Sequence, residues 1–122
     1  MNFNVNKNTA QKLLISIGIG ILLFMISYDF GMFWDNVLFA SKMGNQIYNN
    51  GFFDWTMPND FDPGHPPFLG VVLAFFWKIF GHSLWVSHLA MLPFMIGAIY
   101  QLQRLIAYFV SNNTMILLGL LL

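Results

Sequence analysis

Two long apolar runs, separated by a polar and aromatic stretch, are the feature that most limits how this sequence can fold. They cover residues 13–28 and 84–109. With its flanks, the first run reaches about 20 residues, the length needed to cross a hydrocarbon core of about 30 Å. Only 8% of the residues are charged, against about 25% in soluble domains. The sequence therefore predicts an all-α integral membrane protein with transmembrane helices.

The few charges are sorted along the chain in a way that predicts its orientation. All five acidic residues are aspartates between positions 29 and 62, whereas Lys7 and Lys12 precede the first run and Arg104 lies near the end of the second. The positive-inside bias then puts the N-terminus in the cytoplasm and the acidic stretch outside. A cleaved signal peptide is the competing interpretation, but FMISYDFG offers no small-x-small cleavage site. The zero net charge argues against a nucleic-acid partner.

These patterns predict the organisation of the whole chain. We expect a first span over about 10–33, an outer loop over 34–83 with surface helices, and a second span over 84–109. A third apolar run begins at 115–122 and is too short to cross. We therefore interpret residues 1–122 as the N-terminal part of a larger polytopic protein. The 13-residue run FLGVVLAFFWKIF contains a lysine, which is typical of an interfacial or re-entrant helix.

The beginning of the outer loop has the spacing of a helix. In WDNVLFASKMGNQIYNNGF, small and apolar residues recur at about helical intervals: Val37, Ala40, Gly44, Ile47 and Tyr48. We expect a short helix along the membrane surface that ends at the Asn-Asn-Gly of 49–51. Asp35 stands where this helix would begin. It suits two compatible roles, a helix N-cap and a general base at the mouth of a membrane cavity.

A second polar cluster, FDPGHPP, occupies residues 61–67. Pro66 and Pro67 suit the first turn of the helix that starts at Phe68, and they force His65 into an extended conformation. Three roles stay open on spacing alone. The cluster is a polar interfacial turn, or His65 binds a phosphate headgroup while Asp62 orients its ring, or it is part of a metal site with an incomplete ligand set.

The remaining aromatic, basic and histidine residues favour structural roles. Tryptophan concentrates at the membrane–water interface, so we expect the outer segment to lie against the membrane surface through Trp34, Trp55, Trp77 and Trp85. Lys78 and Arg104 suit snorkelling positions. We expect structural roles for His82 and His88.

This layout resembles that of the GT-C membrane glycosyltransferases. The closest likeness is to protein O-mannosyltransferases and to bacterial transferases that use polyprenyl-phosphate sugars, including the aminoarabinose transferases. WDNVLFASKMGNQIYNNGFFDW resembles their first outer loop, and FDPGHPPFLGVVLAFFWKIFG resembles their pattern of Asp, His and paired Pro before a helix. The resemblance implies a partial GT-C fold in a bacterial inner membrane. It also implies an enzyme that moves a sugar from a polyprenyl-phosphate donor to a hydroxyl of a lipid, glycan or protein acceptor at the outer face.

The resemblance also implies roles for particular residues. Asp35 would be the catalytic base, and a substrate-cavity wall near the lipid phosphate would be formed by Asp62, His65, Pro66 and Pro67. The chain departs from the family where Asn36 follows Asp35, since many members have an Asp-Glu pair there, and it contains no Glu at all. No cofactor is firmly implied, with a divalent cation left open. The alternative is a non-enzymatic membrane subunit or scaffold that docks a partner through its outer loop.

Overall fold

The structure, a computed structural model, describes residues 7–32, 37–53, 56–59, 64 and 66–109. Within these ranges the chain forms α-helices and one π-helical turn, and no strand. The elements in chain order are α1 (Lys7–Ser27), the π-helical turn (Val37–Lys42), α2 (Met43–Asn50), α3 (Phe68–Phe80) and α4 (Leu84–Phe109). The predicted all-helical class is thus confirmed for the described part of the chain.

The helix bounds match some sequence expectations better than others. α3 and α4 cover the two runs 68–80 and 84–109. α1 ends at Ser27, short of the 33 expected, and the chain turns there as Phe30 N donates to the carbonyl of Ser27 at 2.9 Å. The third apolar run, at 115–122, lies outside the described residues.

Two of the helices are long and apolar enough to cross a membrane. Asn8–Ser27 has a mean hydropathy of 1.9 and Leu84–Phe109 one of 1.3. In each, only 11% of the most apolar stretch is buried within the protein. A helix of this composition in a soluble domain turns its apolar side to a core. Here most of that surface is uncovered, which suits contact with lipid.

The chain divides into two compact units, and the first consists of Met1–Ile26 with Met91–Leu122. Within it a buried polar bridge joins α1 to α4. Gln103 is only 1% exposed, and its Nε2 donates to Ser16 Oγ at 2.7 Å and to the carbonyl of Lys12 at 3.1 Å. The Gln103 side chain of α4 therefore donates hydrogen bonds to two residues one turn apart on α1.

A glycine lets the same two helices approach closely one turn further along. A Cβ atom on Gly20 would lie 2.6 Å from Cγ1 of Ile96. Ser16 meets Gln103, whereas Gly20, later in α1, meets Ile96, which comes earlier in α4. The two helices therefore run antiparallel in this unit. Small residues at close crossings are the usual means of packing helices in membranes.

The second unit, Ser27–Ala90, is built on the packing of α2 against α3. α2 buries Met43, Gly44 and Ile47, and α3 buries Gly70, Leu73, Ala74 and Trp77. Ala40, Gly44 and Ile47, three of the residues that recur at helical spacing in the sequence, are buried.

Both short helices end at a glycine, for the same backbone reason. Gly51 follows α2 with φ 113° and ψ 155°, and Gly81 follows α3 with φ 93° and ψ 152°. Side-chain-bearing residues scarcely enter this region. Each glycine N–H donates back to its helix, to the carbonyls of Ile47 and Trp77, at 2.9 Å. The predicted end of α2 at 49–51 is confirmed.

We predict that Gly70→Ala destabilises the Ser27–Ala90 unit by about 2 kcal/mol, the usual cost of overpacking. The new Cβ would lie 2.6 Å from Cβ of Met43 and 2.9 Å from the backbone N of Gly44, so α2 must move. Unfolding in detergent micelles, followed by tryptophan fluorescence, measures the loss. Gly97→Ala is the matched control, because nothing lies within 4 Å of its new Cβ. Equal losses in both variants would show that the crossing is not the cause.

We predict that Gln103→Leu weakens the pairing of α1 with α4 by about 1 kcal/mol, the size found for hydrogen bonds between membrane helices. The variant leaves Ser16 without the amide that joins it to α4. Gln101→Leu is the control, since Gln101 is exposed and accepts a hydrogen bond from Arg104 Nη1 of the same helix at 3.3 Å. Unfolding by sodium dodecyl sulfate in mixed micelles compares them, and a larger loss for Gln101→Leu would contradict the bridge.

Candidate functional site

Of the five residues predicted to form the site, the structure describes the two prolines. Pro66 is exposed and Pro67 is partly buried at the N-cap position of α3, with φ −77°. The carbonyl of Pro67 accepts the first hydrogen bond of the helix, from Val71 N at 2.9 Å. Pro67 thus precedes the first turn of α3. Asp35, Asp62 and His65 lie outside the described residues.

The elements that follow the predicted site residues are in contact with each other. The π-helical turn Val37–Lys42 packs against α3, and α2 continues from that turn onto the same helix. Asp35 comes two positions before Val37, and His65 three positions before Phe68. Packing therefore joins the two elements that directly follow these segments in sequence.

Trp77 lies at the centre of a polar and aromatic cluster that the sequence did not reveal. Its side chain is 2% exposed, and its Nε1 donates to Ser87 Oγ at 2.9 Å. Ser87 Oγ donates in turn to the carbonyl of Ser83 at 3.1 Å. The expectation that Trp77 is a half-wet interfacial residue is wrong. Its ring packs beside Gly44, where a Cβ would lie 2.9 Å away, so the absence of a side chain there makes room for it.

His82 closes this cluster on the exposed side. Its Nε2 donates to Asn45 Oδ1 at 2.8 Å, across 37 positions of sequence. The ring centroid lies 4.2 Å from that of Trp77 and 5.4 Å from that of Tyr48. Lys78 Nζ stands 4.4 Å from the centre of the Tyr48 ring, a cation–π distance. His82 therefore ties α2 to the end of α3.

His88 also holds the fold together through a hydrogen bond. Its Nε2 lies 2.8 Å from the carbonyl oxygen of Phe30. A carbonyl only accepts, so Nε2 carries a proton and donates. This bond connects the segment after α1 to the first turns of α4, within the Ser27–Ala90 unit. The expected structural roles of His82 and His88 agree with these contacts.

An open cavity of about 320 Å³ lies beside the cluster. Its walls include Ser41, Ser83, Ser87, His82, Trp77 and Leu84. Ser83 Oγ is buried and has no hydrogen-bond partner among the described residues. The lining is mixed, because Met32, Trp77 and Leu84 are largely apolar whereas three serines and His82 are polar. Among the described residues, no three His or Asp side chains come together as metal ligands.

The described residues thus define a helical protein with two helices able to span a membrane and a compact helical unit between them in sequence. No family model matches the chain, and no curated protein or solved structure matches it.

Sequence reasoning missed Ser87 and Asn45 as partners in the cluster. The only signal was indirect, since a buried tryptophan or histidine needs a hydrogen-bond partner. Nothing in the spacing identifies which serine or asparagine supplies it.

We predict that Ser87→Ala destabilises the Ser27–Ala90 unit by about 1–3 kcal/mol, because the buried Trp77 N–H loses its acceptor. Ser83→Ala removes a buried hydroxyl that has no hydrogen-bond partner in the described part of the chain, so it should cost nothing or stabilise slightly. The two substitutions are chemically identical and four positions apart. Unfolding midpoints, together with the indole N–H proton shift of Trp77, separate them. If Ser83→Ala destabilised the unit as much as Ser87→Ala, the role of Ser87 as the acceptor for the Trp77 N–H would be refuted.

Proposed function

We propose that the chain is the N-terminal part of a membrane glycosyltransferase of the GT-C type. It transfers a sugar from a polyprenyl-phosphate donor to a hydroxyl of a lipid, glycan or protein acceptor at the outer face of a bacterial inner membrane. The observation that carries the proposal is the packing of the π-helical turn against α3. This contact joins the helical part of the segment that resembles the family's first outer loop to the helix that follows the Asp–His–Pro–Pro element in sequence, and it supports the proposal.

The location rests on α1 and α4, which are long and apolar enough to cross a membrane. Lys7 and Lys12 precede the first apolar run, so the N-terminus lies in the cytoplasm by the positive-inside bias. The Ser27–Ala90 unit then faces the outer side, where polyprenyl-linked sugars are used by the families that the sequence resembles.

Asp35 acts as the general base in this proposal. It accepts the proton of the acceptor hydroxyl as that oxygen attacks the anomeric carbon and the polyprenyl phosphate leaves. A carboxylate close to lipid is well suited to this role, because a low-dielectric surrounding favours its protonation. The π-helical turn that follows Asp35 is an irregularity frequent at functional sites.

His65 and Asp62 contact the phosphate end of the donor. His65 donates hydrogen bonds to phosphate oxygens, and Asp62 orients its ring. The segment that contains Asp62 and His65 is connected to α3 through Pro66 and Pro67, whose rings fix φ. The carbonyl of Pro67 accepts the first hydrogen bond of the helix.

We predict that Asp35→Asn in the full-length protein lowers the rate of sugar transfer by about 10²–10⁴-fold, the usual contribution of a general base. The amide keeps the size of the side chain and removes its basicity. Transfer is measured in isolated membranes with a radiolabelled polyprenyl-phosphate sugar.

Asp29→Asn is the matched control. Asp29 is exposed just after α1 and is a second aspartate of the same segment, and its variant should retain transfer. Both variants should accumulate equally in the membrane. Undiminished transfer by Asp35→Asn would exclude Asp35 as the base. Absence of any transfer by the unmodified protein would instead favour a non-enzymatic subunit.

A further inference from the structure

α3 has two opposite faces, and both are apolar. One face is buried, with Gly70, Leu73, Ala74 and Trp77 packed in the Ser27–Ala90 unit. The opposite face is partly exposed, since Phe68, Phe75 and Ile79 are 59%, 52% and 55% exposed, with the ring of Phe52 edge-on to that of Phe75 at 6.5 Å. At 3.6 residues per turn, positions 68, 75 and 79 fall about half a turn from the buried set. We call this exposed set the outer stripe of α3.

α2, by contrast, has no apolar face left over. Its buried residues Met43, Gly44 and Ile47 all serve the packed unit. The other positions of the helix are mostly amides, with Asn49 and Asn50 exposed. The ring of Tyr48 is covered by Lys78 and His82. α2 therefore offers nothing that would favour contact with lipid.

We propose that α3 lies on the bilayer through its outer stripe and carries α2 on its opposite side, away from the lipid. The occupant of the outer stripe is the boundary between acyl chains and headgroups. The sequence already predicts an interfacial or re-entrant helix over 68–80, and the structure adds which of its faces meets the lipid. The difference from the sequence expectation concerns α2, which was expected to lie along the membrane itself. This orientation of α3 is independent of sugar transfer.

The length and position of α3 favour lipid as the occupant. Its 13 residues give a helix of about 20 Å, too short for a core of about 30 Å but typical of an interfacial helix. Only residues 81–83 separate it from α4, which is long and apolar enough to enter the membrane. Trp77 and Ser87 bind the two helices together at this junction. A partially buried helix anchored there stays close to the membrane surface.

The charge on α3 is arranged consistently with this orientation. Lys78 is the only charged residue between 68 and 80. Its amine lies over the ring of Tyr48, a residue of α2, and so points away from the outer stripe. A long basic side chain beside lipid turns its charge toward the aqueous side in the same way.

The test uses single cysteines, because the chain has none of its own. Ile79→Cys places a thiol in the outer stripe, and Asn49→Cys places the control thiol on α2. Both positions are exposed, so neither substitution removes buried packing. Each variant is labelled with bimane and reconstituted in vesicles of phosphatidylcholine and phosphatidylglycerol. Quenching is measured with a nitroxide on the lipid acyl chain and with aqueous iodide.

We expect the lipid nitroxide to quench the label at position 79 and iodide to quench the label at position 49. Three outcomes would overturn the proposal. Iodide quenching at 79 would mean that the stripe faces water, and protection of 79 from both quenchers would mean that protein covers it. Lipid quenching at 49 would mean that α2 itself lies on the bilayer. None of these readings involves transfer activity, so failure here is distinct from failure of Asp35 as a base.

Discussion

The close approach of α2 to α3 at Gly44 and Gly70 is the contact on which the Ser27–Ala90 unit depends. Neither residue has a side chain, so the backbones come within a distance that a single Cβ would violate. The space beside Gly44 is filled by the Trp77 ring, which buries the indole and obliges its N–H to find an acceptor. Ser87 on α4 is that acceptor. One steric feature of α2 thus determines how α3 is tied to the first turns of α4.

A chain with so much apolar surface selects its helix partners mainly through a few polar side chains. Leucine and phenylalanine gain little by leaving lipid for each other, so apolar contact alone is a weak guide to which helix faces meet. Gln103 with Ser16 and Trp77 with Ser87 satisfy groups that would be costly to bury alone. His88 with Phe30 adds a more exposed bond between distant segments. Each pair therefore penalises a different rotation or register of its helices. The glycine crossings then allow the approach that these hydrogen bonds require.

Length and periodicity were enough to predict α3 and α4 with their bounds, since apolar runs and glycine stops are local signals. The end of α1 was predicted less well, because the run stays apolar around Tyr28 and Phe30 while the backbone turns at Ser27. The burial of Trp77 could not be predicted either. Interfacial preference describes tryptophan as a type, whereas its burial here depends on a missing side chain 33 positions earlier in the chain. Asn45 and Ser87 are equally non-local partners, and no spacing rule identifies them.

The elements that follow Asp35 and His65 are joined by packing and not by nearness in sequence. Asp35 and His65 are far apart along the chain, yet each comes within three positions of an element that packs against the other's. Any site that uses both segments would depend on α2 and the π-helical turn staying packed on α3. If α3 in turn lies on lipid, the height of both segments above the bilayer follows from the depth of the outer stripe. A phosphate carried on a lipid sits at a fixed height as well, so one helix would set both the separation of the two polar segments and their distance from such a donor.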